Sequence, residues 1–255
     1  MADSSATRGV ALITGAGRRI GRALAVAMAG AGYDIAVHYR SSEAEASALA
    51  DEITALGRRA HVLKADLADE AQTRDLVGAA RRALGPVTLL VNNASVFEDD
   101  RIETFASDTW RAHMEVNLHA PLLLAQAFAA ELPDGMSGQI LNVLDQRVWN
   151  PNPQFFTYSL SKAALWTATR TLAQALAPRI RVNAIGPGPT LPSIHQTAEM
   201  FQSEAANVLL ERRAELADLT AAALYLIDAP SVTGQMIAVD GGQHLGWRTP
   251  DVAGP

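Results

Sequence analysis
The 255-residue chain contains no cysteine, which excludes a disulfide framework, a thiolate metal site and a cysteine nucleophile. Its six histidines show no paired metal-ligand spacing, so no metal is expected. No uninterrupted apolar run approaches the roughly 20 residues that span a bilayer, and the leading MADSSATRG has no apolar core of signal-peptide length. No membrane contact and a cytoplasmic location are therefore expected. Basic residues are scattered apart from the pairs Arg18-Arg19, Arg58-Arg59, Arg81-Arg82 and Arg212-Arg213, and the formal net charge is −6. A nucleic-acid partner is not expected from that balance. Aromatic residues make up only 5%, which together with alanine-rich helical stretches points to close packing of helices on a sheet.

What is present is a regular rhythm. With 49% hydrophobic residues, the chain is long enough to bury the core of one large domain, residues 1–255, without a linker or a second domain. Apolar strands at Val10–Ile13, Asp34–Tyr39, Ala60–Ala65, Val87–Val91, Gln139–Leu144, Ile180–Ile185 and Met236–Val239 alternate with helical patterns. The helices are expected from Ser42, where Glu45 completes a capping box, through Leu56; through Leu76 to Leu84; and over Asp108–Leu132, Tyr158–Leu176 and Leu216–Ile227. Strand–helix alternation calls for a parallel sheet of about seven strands with right-handed crossovers and helices on both faces, an α/β doubly wound fold. Pro187–Arg213 is the weakest stretch, with a helical pattern only from about Ala198 to Leu210, and is read as a mobile substrate loop.

The most informative segment is Val10–Met28, VALITGAGRRIGRALAVAM. Gly15, Gly17 and Gly21 follow an apolar strand and precede a helix whose apolar side includes Ile20, Leu24 and Met28. Glycine allows a tight turn and close backbone approach, and free N–H groups at the following helix start favour phosphate, so this turn is a pyrophosphate seat. At the end of the second strand an acidic residue would hold a ribose 2′-hydroxyl, whereas basic residues accept a 2′-phosphate. That position reads His38-Tyr39-Arg40-Ser41-Ser42, with no carboxylate before Glu43. Arg40 can pair with phosphate, Ser41 can donate to it, and Arg18 and Arg19 add positive charge on the same side. The expected cofactor is NADPH rather than NADH.

Tyr158 and Lys162 lie four residues apart at the start of a helical pattern, which puts both side chains on one face. An ammonium beside a phenol favours the phenolate and depresses its pKa, so Tyr158 is expected to be a usable acid near neutrality.

Thr14 to Gly21, Asn92-Asn93-Ala94, Asn117, Tyr158 with Lys162, Pro187-Gly188 and Asp240-Gly241-Gly242 occur in this order along nearly the whole chain. As a set they resemble the short-chain dehydrogenase/reductase family, with its single Rossmann-type domain. The resemblance implies cofactor contacts from Gly15, Gly17, Arg18, Arg19, Ile20, Gly21, His38, Tyr39, Arg40, Ser41, Asp66, Leu67, Asn93, Ala94, Ser95, Lys162, Pro187 and Gly188. Asp66 would lie near the adenine, Asn117 would organise a proton-relay water, and Lys162 would bind the nicotinamide ribose while tuning Tyr158.

Two departures narrow the resemblance. Arg19 stands where a glycine is usual, and Asp145, in Asn142-Val143-Leu144-Asp145, stands where a catalytic serine is usual. Both resemble pteridine reductases and their dihydromonapterin and dihydrofolate reductase relatives, as do His38-Tyr39-Arg40-Ser41 and Asn93-Ala94-Ser95-Val96-Phe97. The implied reaction is hydride transfer from NADPH to a ring C=N of a pteridine, with protons supplied through Asp145, Tyr158 and Lys162. Phe97 would stack on the flat substrate opposite the nicotinamide, and Arg19 and Ser95 would meet both cofactor phosphate and pterin edges. The bland reading of Asp145 is a cap or a salt bridge to Arg147; Trp149, Phe155, Phe156 and Trp166 either line the pocket or pack beneath it. The alternatives are a carbonyl reductase, such as a 3-oxoacyl-carrier-protein or other ketone reductase, and a non-catalytic NADPH-binding regulatory protein. Family likeness also implies a homotetramer, with the C-terminal GGQHLGW at an interface. The segment LERRAEL (210–216) departs from the usual longer turn and is expected to reshape the pocket wall.

Overall fold
In the computed structural model, which describes residues 7–193 and 196–247, seven parallel strands form one sheet in the order β3-β2-β1-β4-β5-β6-β7. The strands are β1 (Val10–Ile13), β2 (Asp34–Tyr39), β3 (Ala60–Lys64), β4 (Val87–Asn92), β5 (Gly138–Val143), β6 (Ile180–Pro187) and β7 (Met236–Val239). Strands β1, β2 and β4 are buried along their entire length, as the middle of a sheet covered on both faces requires, and apart from Asp34, His38, Thr88 and Asn92 they are apolar. The helices α1 (Arg19–Gly30), α2 (Glu43–Ala55) and α3 (Glu70–Leu84) follow the first three strands; α4 (Ser107–Met114), α5 (Ala120–Glu131), α6 (Phe156–Leu176), α7 (Ala198–Ala206) and α8 (Leu216–Asp228) complete the layers. Leu24, Met28, Leu219 and Leu226 cover one face of the sheet, and Leu76, Leu124 and Phe128 cover the other. No helix among the described residues is long and apolar enough to cross a membrane.

The structure departs from the sequence reading in four places. The helix expected over Asp108–Leu132 is interrupted by a π-helical turn at Glu115–His119. Pro121, in the first turn of α5, has no N–H to give to the Asn117 carbonyl four residues back, and its ring crowds that carbonyl, so the helix widens there. The capping box expected at Ser42 does not form: Ser42 makes no side-chain cap bond, and Glu45 instead pairs with Arg18 at 2.8 Å. A capping box forms at Glu215 and Asp218, opening α8 at the end of the atypical 210–216 segment. Finally, β6 runs on to Pro187 because its last residues pair with Ala238 and Val239 of β7, and so extends into the stretch expected to be irregular.

Candidate active site
The strand order reverses between β1 and β4, whose following loops diverge to opposite sides. Such a reversal opens a crevice at the carboxyl ends of the strands. Most of the sequence-derived site residues follow the carboxyl ends of these strands in the chain.

On the β1 side, the glycine turn is held from behind. Gly15 has φ +62°, and its N–H donates to His38 Nδ1 at 3.0 Å. With Nδ1 accepting, the proton sits on Nε2, which faces the Ala65 carbonyl at 3.2 Å. Burial pulls the His38 pKa down to about 4, so the ring is a neutral strut under the turn. Thr14 Oγ1 accepts from the N–H groups of Asn93 (2.9 Å) and Ala94 (3.0 Å). Asn93 Nδ2 donates to the carbonyls of Thr14 (2.8 Å) and Gly15 (3.1 Å). Gly21 closes the turn so tightly that a Cβ there would lie 2.3 Å from the Gly15 oxygen and 2.5 Å from Asn93 Nδ2. Arg18, the N-cap of α1, makes no side-chain cap bond. A backbone cradle in front of an uncapped helix start fits a pyrophosphate.

The remaining nucleotide-side residues are distributed around that cradle. Arg40 and Ser41 are exposed just beyond β2, and among the described residues the Arg40 guanidinium has no ion pair. Tyr39 is buried and Ile20 half-buried against the core. Asp66, which accepts from the Ala68 N–H at 3.0 Å, and buried Leu67 follow β3. Pro187 ends β6, and the Gly188 N–H donates to the Val239 carbonyl at 3.1 Å. Arg19, in the left-handed region at φ +54°, turns toward the 187–213 segment and donates to the carbonyls of Pro192 (2.8 Å) and Leu191 (3.3 Å).

On the β4–β5 side, Tyr158 and Lys162 share the buried face of α6, at 6% and 3% exposure. The Tyr158 hydroxyl donates to Asp145 Oδ2 at 2.9 Å. Oδ1 of Asp145 accepts from the Arg147 N–H at 2.9 Å and caps a short 3-10 turn, Gln146–Val148. Lys162 donates to the Val143 carbonyl at 2.8 Å. Burial pushes the Asp145 carboxyl up, against the pull of the Arg147 charge, and draws Lys162 down to about 8.

Tyr158 corrects one expectation. Its pKa is pushed well above 10, first by burial and then by the charge of Asp145. The ammonium expected to depress it lies 5.7 Å from the phenol ring centroid and is hydrogen-bonded to a backbone carbonyl instead. Tyr158 is therefore a firmly protonated donor, with Asp145 as its acceptor.

The loop after β4 is locked over this pair. Asn117, on the π-helical turn, accepts from the Val96 N–H (2.8 Å) and Ser95 Oγ (3.1 Å), and donates to the Val96 carbonyl (2.9 Å) and Ser161 Oγ (3.1 Å). Phe97 lies edge-on to Tyr158, with centroids 4.7 Å apart, and is stacked on Phe155 at 4.1 Å and 13°. Phe155 has φ +52° and gives α6 no side-chain cap. The helix start is capped by the loop instead: Asp100 accepts from the Phe156 N–H through its carbonyl (3.1 Å) and from the Thr157 N–H through Oδ1 (3.0 Å). Thr157 Oγ1 donates to the other Asp100 oxygen and contacts His113 Nδ1 at 2.7 Å. Phe155 was left unassigned by the sequence, while Asp100, Thr157 and His113 carried no sequence signal because their partners lie 44 to 57 residues away.

Comparisons with known proteins agree with this geometry. A family model described as short chain dehydrogenase matches residues 9–218. The crystal structure of FolM alternative dihydrofolate reductase 1 from Brucella canis, complexed with NADP, is 47% identical with a TM-score of 0.94, covering 98% of this chain and 100% of that one. Its counterpart from Brucella suis, also with NADP, is 48% identical with a TM-score of 0.93, covering 96% and 99%. A 3-oxoacyl-[acyl-carrier-protein] reductase of Staphylococcus epidermidis is 30% identical over 92% of this chain and 98% of its own. By sequence match, strand order and site geometry together, the chain belongs to the short-chain dehydrogenase family and is an oxidoreductase.

Proposed function
We propose that this oxidoreductase reduces a ring C=N bond of a pteridine (a pterin, a dihydropterin or dihydrofolate) with NADPH. The observation that carries the reading is the hydrogen bond from Tyr158 to Asp145, where ketone reductases of the family carry a serine. A developing alkoxide needs a donor, which a serine and a tyrosine can supply together, whereas reducing a ring C=N requires a proton delivered to nitrogen, which a carboxyl beside Tyr158 can relay. The Tyr158–Asp145 pair holds such a proton between a phenol and a carboxyl that are both pushed up by burial. NADPH, held by the glycine turn with Arg40 and Ser41 toward its 2′-phosphate, supplies the hydride when bound. Lys162 supplies a buried cation beside the same strand end. Arg19, Ser95 and Phe97 are the proposed substrate contacts; as it stands, Arg19 ties the 187–213 segment to the turn and Ser95 is held by Asn117. The Brucella relatives, described as alternative dihydrofolate reductases with NADP, support both substrate and cofactor.

NADPH oxidation against a panel of dihydrofolate, dihydrobiopterin, dihydromonapterin and an acetoacetyl thioester tests the reading. Turnover of the pteridines is expected. Turnover of the thioester alone would establish the carbonyl-reductase alternative, and turnover of nothing would favour a regulatory NADPH-binding role. A crystal soaked with NADPH and methotrexate is expected to place a pterin-like ring against Phe97. We also propose a homotetramer that covers the C-terminal segment, where Leu245 and Trp247 are exposed; a monomer by light scattering at working concentration would refute it.

A further inference from the structure
Partly buried arginines elsewhere in this fold are answered. Arg181 donates to the carbonyls of Leu226 (2.9 Å), Val232 (2.8 Å) and Ile227 (2.7 Å). Arg58 pairs with the buried Asp34 carboxylate, which the exposed Arg59 also meets. Arg147 is different. It is half-buried, has no salt bridge among the described residues, and its Nη1 is buried without a hydrogen-bond partner. Asp145 feels the Arg147 charge but reaches it only through space: its oxygens accept from the Arg147 main-chain N–H and from Tyr158, and neither is hydrogen-bonded to the guanidinium. A guanidinium cannot shed its charge, and a buried donor left unpaired is costly.

The surroundings indicate what would pair with it. The Arg147 guanidinium lies over the Phe155 ring at 4.9 Å and is 6.0 Å from the Phe97 ring centroid. It therefore lies beside the stacked Phe97–Phe155 pair, within reach of both rings, and Phe97 in turn touches Tyr158. Cofactor phosphate is not the missing anion: the glycine turn follows β1, two strands from β5 in the sheet order, roughly 10 Å away at the usual strand spacing.

We propose that Arg147 receives a carboxylate carried on an arm of the substrate, with the flat part of that substrate lying along the Phe97–Phe155 stack. This rests on the pteridine reading and narrows it to carboxylate-bearing, folate-type pteridines over neutral ones. A planar fork of donors matches a carboxylate in two-point geometry, and an aromatic wall beside it lowers the local dielectric and strengthens the pair.

The test compares kcat/KM for dihydrofolate, which carries carboxylates, with that for dihydrobiopterin, which carries none, in wild type, Arg147→Met and Arg147→Lys. Any effect of Arg147 on Asp145 acts on both substrates and cancels in the ratio. The dihydrofolate-to-dihydrobiopterin ratio is expected to fall at least about tenfold in Arg147→Met, mainly through KM, and to recover in part in Arg147→Lys. A folded Arg147→Met protein with an unchanged ratio overturns the proposal. Should that variant not fold, the wild-type enzyme decides: raised salt should increase KM for dihydrofolate and not for dihydrobiopterin, and equal responses overturn the proposal. Wild-type enzyme that reduces neither compound overturns this proposal, and if it also leaves dihydromonapterin unreduced the pteridine reading falls with it.

Discussion

The two sides of the crevice are built by different means. At the β1 end the contacts are made by backbone: Gly15 and Gly21 shape a cradle, Thr14 and Asn93 stitch it to β4, and the neutral imidazole of His38 props it from below. At the β5 end they are made by ionisable side chains, with Asp145, Tyr158, Lys162 and Arg147 crowded behind Phe97 and Phe155. A seat for one invariant chemical group needs fixed dipoles and no titrating charge, so its geometry holds at any working pH. Proton delivery needs groups displaced from their ordinary pKa values, and burial of charge is what displaces them.

Tyr158→Phe gives the sharpest separation of the two sides. It removes the hydroxyl that donates to Asp145, and kcat is expected to fall by about 10²- to 10⁴-fold while the Kd for NADPH stays near that of wild type. A parallel loss of NADPH affinity in calorimetry would show that the two sides are not independent. Gly21→Ala is the reciprocal variant. Its Cβ would meet the Gly15 oxygen at 2.3 Å, so the turn must shift, at a cost of roughly 1–3 kcal/mol. NADPH affinity and the thermal midpoint are both expected to drop; an alanine that left both intact would mean the cradle is not the seat.

Acid stability probes the neutral strut. His38 is held at about 4 against an ordinary 6.5, so the unfolded chain takes the proton first. Its contribution to stability is complete above pH 6.5 and is lost as pH falls from there toward 4, by about 3 kcal/mol. Urea titrations across that window should show the loss, and His38→Asn should flatten it; the same slope in both proteins would remove His38 from the account. The smallest effect is expected at Arg40, exposed beyond β2. Arg40→Ala should reduce the NADPH-over-NADH preference by about tenfold, and wild-type protein that bound NADH as tightly would break the nucleotide assignment.

The nucleotide half was legible because its signal is contiguous. Strand, glycines and helix occupy Val10–Gly30, and the residues that contact one another across β1 and β2 follow from parallel pairing. The capping box at Ser42 illustrates the limit of such local reading. The pattern was present, but Glu45 found Arg18, which the sequence places 27 residues earlier and the turn brings to 2.8 Å. On the catalytic side the residue identities were legible and their electrostatics were not. The Tyr158–Lys162 spacing correctly put both side chains on one buried face, yet the ammonium went to the Val143 carbonyl and the phenol rose in pKa. Neither the depth of burial nor the competing acceptor can be read from a spacing of four.

By itself, the sequence determined the alternation of strands and helices, the phosphate-seating turn, and which side chains are available for chemistry. These follow from short-range sterics and hydrophobic period, which act within one strand–helix unit. Tertiary structure decided how those side chains are charged and what they face: Asp100 capping α6 across 57 residues, Phe97 stacked on Phe155, and Arg147 Nη1 buried beside them without a hydrogen-bond partner among the described residues. Each depends on desolvation and on partners brought together by the sheet order, quantities that exist only once β4, β5 and α6 are packed.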